Sequence, residues 1–309
     1  MYDVIVVGGG PAGMTAALYA VRNGKSALVI EKNGFGGQIT HSPKVENYPG
    51  SLSMSGNEFA DRMLDQILKQ GAEIEFETVI SVADADYGDG QRCKLVRTEE
   101  GSSFEGMTVI LATGVKHRML GLPGEEELVG EGISFCAVCD GDFYTGKTVC
   151  VAGGGNSALQ EAILLAGKCK EVILLQDLPA FTGEKKLQET LFPMNNVKAF
   201  TNVAIAGFLT EGDELRGIRI TDKDSGQDKV IACDGLFEAI GLIPENEAFA
   251  GLAVLNEYGY FDSDEDCMTK TAGIFVAGDC RRKNVRQLTT AVADGATAAL
   301  AACRYINGL

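Results

Sequence analysis

The sequence predicts an α/β protein built from two doubly wound, Rossmann-like nucleotide-binding domains, the second inserted into the first. Three observations carry this expectation. A strand, a glycine-rich turn, a helix and a second strand open the chain. The same succession returns from Lys147. A further apolar strand, Gly273 to Ala277, and a long Ala-rich helix, Gln287 to Ile306, close the chain outside both repeats.

The elements follow in order. Residues 2 to 7 are β-branched and nearly continuously apolar, as expected of a buried parallel strand. Gly8-Gly9-Gly10-Pro11-Ala12-Gly13 follows, then a helix pattern from Met14 to Asn23 and a strand from Ser26 to Ile30 that ends at Glu31. Gly8, Gly10 and Gly13 have the G-x-G-x-x-G spacing. The first permits the tight turn, the second lets a pyrophosphate approach the backbone, and the third lets helix and strand pack closely. Glu31 lies 18 residues past Gly13, where an acid that binds ribose hydroxyls is expected. In the repeat, Lys147 to Ala152 form a strand, Gly153 to Ala158 the turn, Leu159 to Gly167 a helix and Glu171 to Leu175 the next strand. Gly121-Leu122-Pro123-Gly124 and Gly241-Leu242-Ile243-Pro244 read as the two crossover points.

Composition bounds the function. A length of 309 residues is usual for two domains, and 45% hydrophobic with 23% charged residues reads as globular. The net charge of −16 argues against nucleic-acid binding, which needs a basic face. No apolar run is long enough to span a membrane and the N-terminus enters a strand at once, so a cytoplasmic protein with no membrane partner is expected. Two histidines and no Cys/His cluster of zinc spacing imply no metal site. Cys93, Cys150, Cys169, Cys233, Cys267, Cys280 and Cys303 stand alone and read as small buried hydrophobes.

Chemistry concentrates in Cys136-Ala137-Val138-Cys139-Asp140. Two thiols separated by two residues can close into a disulfide and reopen, storing an electron pair. The adjacent Asp140 can protonate or deprotonate the sulfur that leaves as thiolate. It can equally serve as a helix cap or turn residue beside Gly141. The second fingerprint, Gly153, Gly155 and Ala158, is followed by Gln176-Asp177-Leu178-Pro179-Ala180-Phe181-Thr182, with no Lys or Arg before Lys185. A 2′-phosphate needs cationic donors, and Asp177 would repel it. Either NADH binds there or the turn is a vestige whose glycines serve packing.

Over nearly its whole length the chain resembles the low-molecular-weight thioredoxin reductases. The matching stretches are Gly8 to Gly13, Gly36 to Thr40, Val45 to Gly50, Ala112-Thr113-Gly114, Cys136 to Gly141, Phe237 to Pro244, Gly278-Asp279 and Arg286-Gln287. The resemblance implies FAD bound by a domain made from residues 1–115 and 244–309, an inserted domain 116–243 carrying the dithiol, and a homodimer. It implies cofactor contacts from Gly8, Gly10, Pro11, Ala12, Gly13, Glu31, Gly37, Gln38, Asn47, Ala112, Thr113, Gly114, Gly278, Asp279, Arg286 and Gln287. It further implies that Cys139 faces the flavin, that Cys136 attacks the disulfide of thioredoxin or a thioredoxin-like protein, that Asp140 is the acid/base, and that one domain rotates against the other.

The chain departs from the NADPH-dependent members, which carry His-Arg-Arg and a further arginine where Gln176-Asp177-Leu178 and Thr182 stand. Relatives without those arginines include enzymes charged by reduced ferredoxin, so the expected donor is reduced ferredoxin or NADH rather than NADPH. Arg281-Arg282-Lys283 and Arg286 place four cations in six positions, a docking surface for an acidic ferredoxin, a solvated basic loop or a phosphate contact. Outside this class, the residues also suit a flavin-bound redox sensor, or a thiol oxidase that passes electrons to oxygen.

Overall fold

The structure, a computed structural model, describes residues 1–42, 45–87 and 91–308. Leu309, the end of the expected third segment, lies outside the described residues, as do 43–44 and 88–90 within the first.

In chain order the first segment holds β1 (Tyr2–Val7), α1 (Pro11–Arg22), β2 (Ala27–Ile30), α2 (Gly56–Lys69) and β3 (Glu73–Glu75). It continues with β4 (Val79–Tyr87), β5 (Gln91–Thr98), β6 (Ser103–Leu111) and a short β7 (Val115–His117). The middle segment opens with α3 (Glu125–Leu128), β8 (Ile133–Ser134), α4 (Ala137–Asp140), β9 (Thr148–Ala152) and α5 (Asn156–Ala166). Then come β10 (Glu171–Leu175), α6 (Lys185–Leu191), β11 (Val197–Phe200), β12 (Val203–Glu211), β13 (Glu214–Asp222), β14 (Asp228–Ala232) and β15 (Gly235–Glu238). A short β16 (Leu242–Pro244), β17 (Ile274–Val276) and α7 (Leu288–Asn307) finish the chain. Two compact units result, Met1–Lys116 with Ile243–Leu309, and His117–Leu242.

In the first unit β1 lies parallel between β2 and β6, with Val6 opposite Val29 on one side and Ile110 on the other. β3 extends the sheet beyond β2, and β17 joins β6 in parallel. The antiparallel pair β4–β5 continues from β6. Alternation along β1 sorts its side chains between two cores. Val4 and Val6 pack with Met14, Ala17, Phe275 and Ala298 toward α1 and α7, and Ile5 and Val7 pack with Leu28, Val109, Phe261 and Val276 on the other face. Helices α1 and α7 approach so closely that a Cβ on Gly295 would stand 2.1 Å from the Ala12 carbonyl oxygen. Small residues on both helices permit that approach.

The second unit has a parallel sheet in the order β11-β10-β9-β15-β8. Phe237, Val151 and Leu174 point toward α5, where Leu159, Ala162 and Leu165 meet them. Cys150, Ala152 and Leu236 face the other way, against Ile218, Ile220 and Ile231 of the antiparallel sheet β12-β13-β14. Gly121 to Gly124, read from sequence as a crossover, lies inside this unit instead. There the Glu125 carboxylate accepts the N–H groups of Leu120, Gly121 and Leu122 at 2.6, 2.6 and 2.9 Å and draws the segment into a turn. All seven solitary cysteines are buried, as small hydrophobes should be. Among the described residues no helix is long and apolar enough to cross a membrane.

Candidate redox site

Each unit brings a glycine turn to the carboxyl end of its central strand. In the first, Gly8 has φ of +108°, and a Cβ there would stand 2.4 Å from the Ala112 carbonyl oxygen, so the turn requires glycine. A Cβ on Gly13 would lie 1.9 Å from the Gly8 carbonyl oxygen. Gly10 is different: the nearest atom to its would-be Cβ is 4.0 Å away, which leaves the backbone open to a ligand. Gly10 also precedes Pro11 and Ala12 at the start of α1 without a capping side chain, so the helix N-terminus keeps free N–H groups for an anion. Glu31 accepts the Gly9 N–H at 2.6 Å and the Asn33 N–H at 2.9 Å, which fixes its carboxylate beside the turn.

The other expected cofactor residues belong to the same unit. Asn47 donates to the Gln287 side chain at 3.3 Å, joining a loop before α2 to the first turn of α7. Thr113 donates to Asn246 at 2.7 Å, and Asn246 in turn donates to the Gly259 and Cys280 carbonyls. Ala112 is buried at the end of β6 and Gly114 has φ of +68°. Gly37 and Gln38 begin a short 3-10 turn, and Gln38 is exposed. Gly278 (φ +81°) leads into Asp279, whose Oδ1 is buried with no hydrogen-bond partner, 3.6 Å from Lys283 Nζ. Burial pushes the Asp279 carboxyl up, against the opposing pull of Lys283 and Arg286. The open glycine cradle, uncapped α1 and orphaned Asp279 oxygen are the features a flavin dinucleotide requires, so the residues fit FAD.

The basic run is engaged within its own unit. Arg281 is buried and forks onto Asp294 of α7 at 2.9 and 3.0 Å, and Lys283 reaches the same carboxylate at 2.9 Å. Arg282 pairs with Asp262 at 2.8 Å, and Arg286 stacks on Tyr260 at 4.2 Å while donating to the Asp279 carbonyl. The docking surface read from this run therefore becomes, for Arg281 and Lys283, an interior ion network. Asp294 closes that network from α7, 13 residues further along the chain.

The second unit repeats the turn with different partners. Gly153 (φ +121°) passes the Ala239 carbonyl as Gly8 passes Ala112, and buried Ala158 takes the place of Gly13. Gln176, where the first unit has Glu31, is buried, donates to the Ala180 carbonyl at 3.3 Å and accepts the Asp177 N–H at 3.1 Å. A cation does reach this stretch, from a place the sequence reading overlooked. Lys223, just after β13, donates to the Asp177 carbonyl at 2.7 Å and lies 3.5 Å from its carboxylate. Within that pair the lysine's charge is opposed by the Asp177 carboxylate.

The dithiol lies in the second unit. Cys136 and Cys139 are joined as a disulfide, with Cα atoms 5.3 Å apart, across the start of the single turn α4. Ala137, 1% exposed, anchors the turn in the α5-side core, while Val138 is 57% exposed beside the sulfurs. The Cys139 N–H donates to Cys136 Sγ at 3.2 Å, a contact that favours a thiolate on Cys136 once the disulfide opens. Asp140 caps no helix. Its Oδ2 instead accepts the Ser134 hydroxyl at 2.6 Å, and its Oδ1 is buried without a partner. Burial pushes its carboxyl up, offset in part by the Ser134 hydrogen bond. Ser134, and Glu161 of α5, carry no motif and were not read from sequence.

Comparison with known proteins agrees with this arrangement. The chain matches the pyridine nucleotide-disulphide oxidoreductase family over residues 2–295. It is 37% identical to a thioredoxin reductase of Listeria monocytogenes over 309 residues, covering 100% of this chain and 95% of that one. Identity to a thioredoxin reductase of Bacillus subtilis is 36%, covering 100% and 96%. The crystal structure of a Streptococcus pyogenes thioredoxin reductase superposes with a TM-score of 0.92 at 36% identity, covering 100% of this chain and 99% of that one.

Proposed function

The chain belongs to the pyridine nucleotide-disulphide oxidoreductases and, within them, to the low-molecular-weight thioredoxin reductases; from that premise we propose that it reduces thioredoxin or a thioredoxin-like protein through Cys136 and Cys139, charged by a donor other than NADPH. The observation that carries the reading is the dithiol turn with a half-buried carboxyl directly behind it. FAD, when bound, supplies the two-electron carrier of the enzyme. The residues that would hold it are Gly8, Gly10, Pro11, Ala12, Gly13, Glu31, Gly37, Gln38, Asn47, Ala112, Thr113, Gly114, Gly278, Asp279, Arg286 and Gln287.

The chain's own part is thiol–disulfide exchange. Cys136 thiolate attacks a sulfur of the thioredoxin disulfide, forming a mixed disulfide and releasing one thioredoxin thiolate, which takes a proton. Cys139 then attacks Cys136, re-forming the Cys136–Cys139 bond and releasing the second thioredoxin thiolate. Two electrons and two protons pass from enzyme to substrate. Asp140 takes the Cys139 proton and returns it to the departing sulfur.

The donor is reduced ferredoxin or NADH, the two that do not call for 2′-phosphate-binding arginines in the second unit. Supporting this is the Asp177–Lys223 pair where a 2′-phosphate would sit. The enzyme is expected to be a homodimer, consistent with apolar side chains of the first unit left 96%, 71% and 56% exposed at Leu52, Tyr258 and Val285. Anaerobic flavin spectra after separate addition of NADH, NADPH and reduced ferredoxin test the donor. Bleaching by NADH or ferredoxin is expected, and bleaching by micromolar NADPH would overturn the reading. Steady-state turnover of thioredoxin without peroxide production separates a reductase from a sensor or a thiol oxidase.

A further inference from the structure

Strands β6 and β17 run parallel, with Val276 opposite Leu111, and each then continues into a segment read as a cofactor contact. From β6 that segment is Ala112-Thr113-Gly114, and from β17 it is Gly278-Asp279. One side chain reaches both. Asn246, 1% exposed, follows the short β16. Its Oδ1 accepts the Thr113 hydroxyl at 2.7 Å. Its Nδ2 donates to the carbonyl of Cys280, the residue after Asp279, at 2.8 Å, and to the Gly259 carbonyl at 2.9 Å.

These partners fix the carboxamide. Carbonyl oxygens accept and never donate, so both N–H donors of Asn246 are committed to Cys280 and Gly259. Oδ1 must then face Thr113, and the Thr113 hydroxyl must give its one proton to it. Thr113 keeps acceptor capacity alone for a ligand. The Gly278–Asp279 segment is thereby held from two sides: the Gly278 N–H donates to Asp294 of α7 at 3.1 Å, and Cys280 is held by Asn246. The neighbouring Glu245 pairs with Lys32 and Lys116 at 2.7 Å each, but those side chains are 31% to 55% exposed, where ion pairs contribute little.

We infer that Asn246 is a positioning residue for FAD: it holds Thr113 and the Gly278–Asp279 segment at one spacing and turns Thr113 toward the cofactor as an acceptor. This rests on the reading of Thr113, Gly278 and Asp279 as FAD contacts. Without the carboxamide, two buried carbonyls and the Thr113 hydroxyl lose a partner together, and the two segments lose their common anchor.

The test is the rate of FAD release from diluted holoenzyme, followed as flavin absorbance in the ultrafiltrate, set beside the urea midpoint of each holoenzyme. Asn246→Ala should release FAD about tenfold faster than wild type, the scale of one hydrogen bond lost. Asn246→Asp is equal in size and can accept from Thr113 but cannot donate to both carbonyls. It should also release FAD faster, and it serves if the Ala variant does not fold. Thr108→Val is the stability control, since it removes the buried hydrogen bond from Thr108 to the Asp3 carbonyl at the end of β1 far from the glycine turn. Its urea midpoint should fall while FAD leaves at the wild-type rate. Thr113→Val should speed release, and combining it with Asn246→Ala should speed release by less than the product of the two single effects. Asn246 variants that behave like the control, with a lowered midpoint and wild-type release, would overturn the positioning role, as would single effects that multiply in full. Wild-type release from Thr113→Val would instead refute the reading of Thr113 as an FAD contact.

Discussion

Replacing Asp294 with Asn should destabilise the first unit far more than any exposed ion pair could. Asp294 takes two hydrogen bonds from Arg281 at 2.9 and 3.0 Å, one from Lys283 at 2.9 Å and one from the Gly278 N–H at 3.1 Å. The side chains of Arg281 and Lys283 are 10% and 8% exposed, so removing the carboxylate strands two cations away from water. Breaking a buried pair in this way costs ~3–5 kcal/mol. Lys283 keeps Asp279 at 3.6 Å, which returns part of the loss and places the expectation near the middle, about 4 kcal/mol or ~10³ in the unfolding constant. Because Gly278 and Asp279 hang from the same carboxylate, release of FAD should accompany the loss. Burial pushes the Asp294 carboxyl up, but Arg281 and then Lys283 outweigh it and hold it below its ordinary value of 3.8. A depressed acid stabilises the fold above its unfolded pKa, and that stability is lost as pH falls through the folded one. The gap between wild type and variant should therefore be complete at pH 6 and shrink below about pH 4. Urea unfolding followed by flavin fluorescence and circular dichroism measures it. A loss under about 1 kcal/mol would refute the reasoning and return Arg281 and Lys283 to the class of surface charges.

Three further substitutions probe the frame of the site. Glu238 has both carboxyl oxygens buried without partners, and burial followed by the charge of Glu125 raises its pKa from 4.5 to about 9. A raised acid costs stability progressively as pH climbs from the unfolded to the folded value, so Glu238→Gln should be more stable than wild type by about 2–4 kcal/mol at pH 8 and show no gain near pH 4. Equal melting temperatures across that range would contradict the assignment. Gly13→Ala, whose Cβ would stand 1.9 Å from the Gly8 carbonyl, should purify without FAD, whereas Ala158→Gly at the matching position of the second unit should cost only about 1 kcal/mol and leave FAD content unchanged. Absorbance at the flavin band of each purified variant decides.

The parts legible in the sequence are those that local chemistry specifies. β-branched runs followed by glycines at fixed spacing determine a strand, a turn and a helix within some twenty residues, and both copies of that unit stand within three residues of where the pattern places them. The Cys-x-x-Cys-Asp run is equally local. What was not legible depends on residues distant in sequence. Asp294 sits in an Ala-rich helix with nothing to announce it as the anchor of Arg281 and Lys283, and the run of cations reads as a surface until that partner is seen. Lys223 reaches Asp177 across 46 positions. Ser134 stands before the dithiol turn with no motif, and its hold on Asp140 and on the Cys136 N–H emerges only from the hydrogen bonds. The antiparallel sheet Val203–Ala232 went unread because its alternating pattern carries no glycine signature.

The central claim, that Cys136 meets thioredoxin and Cys139 resolves the product, is tested most directly by trapping. Pre-reduced Cys139→Ser enzyme mixed with oxidised thioredoxin cannot complete the second exchange, so a mixed disulfide should accumulate, and peptide mapping should locate it at Cys136. A complex linked through another cysteine, or sustained thioredoxin reduction by this variant, would contradict the account.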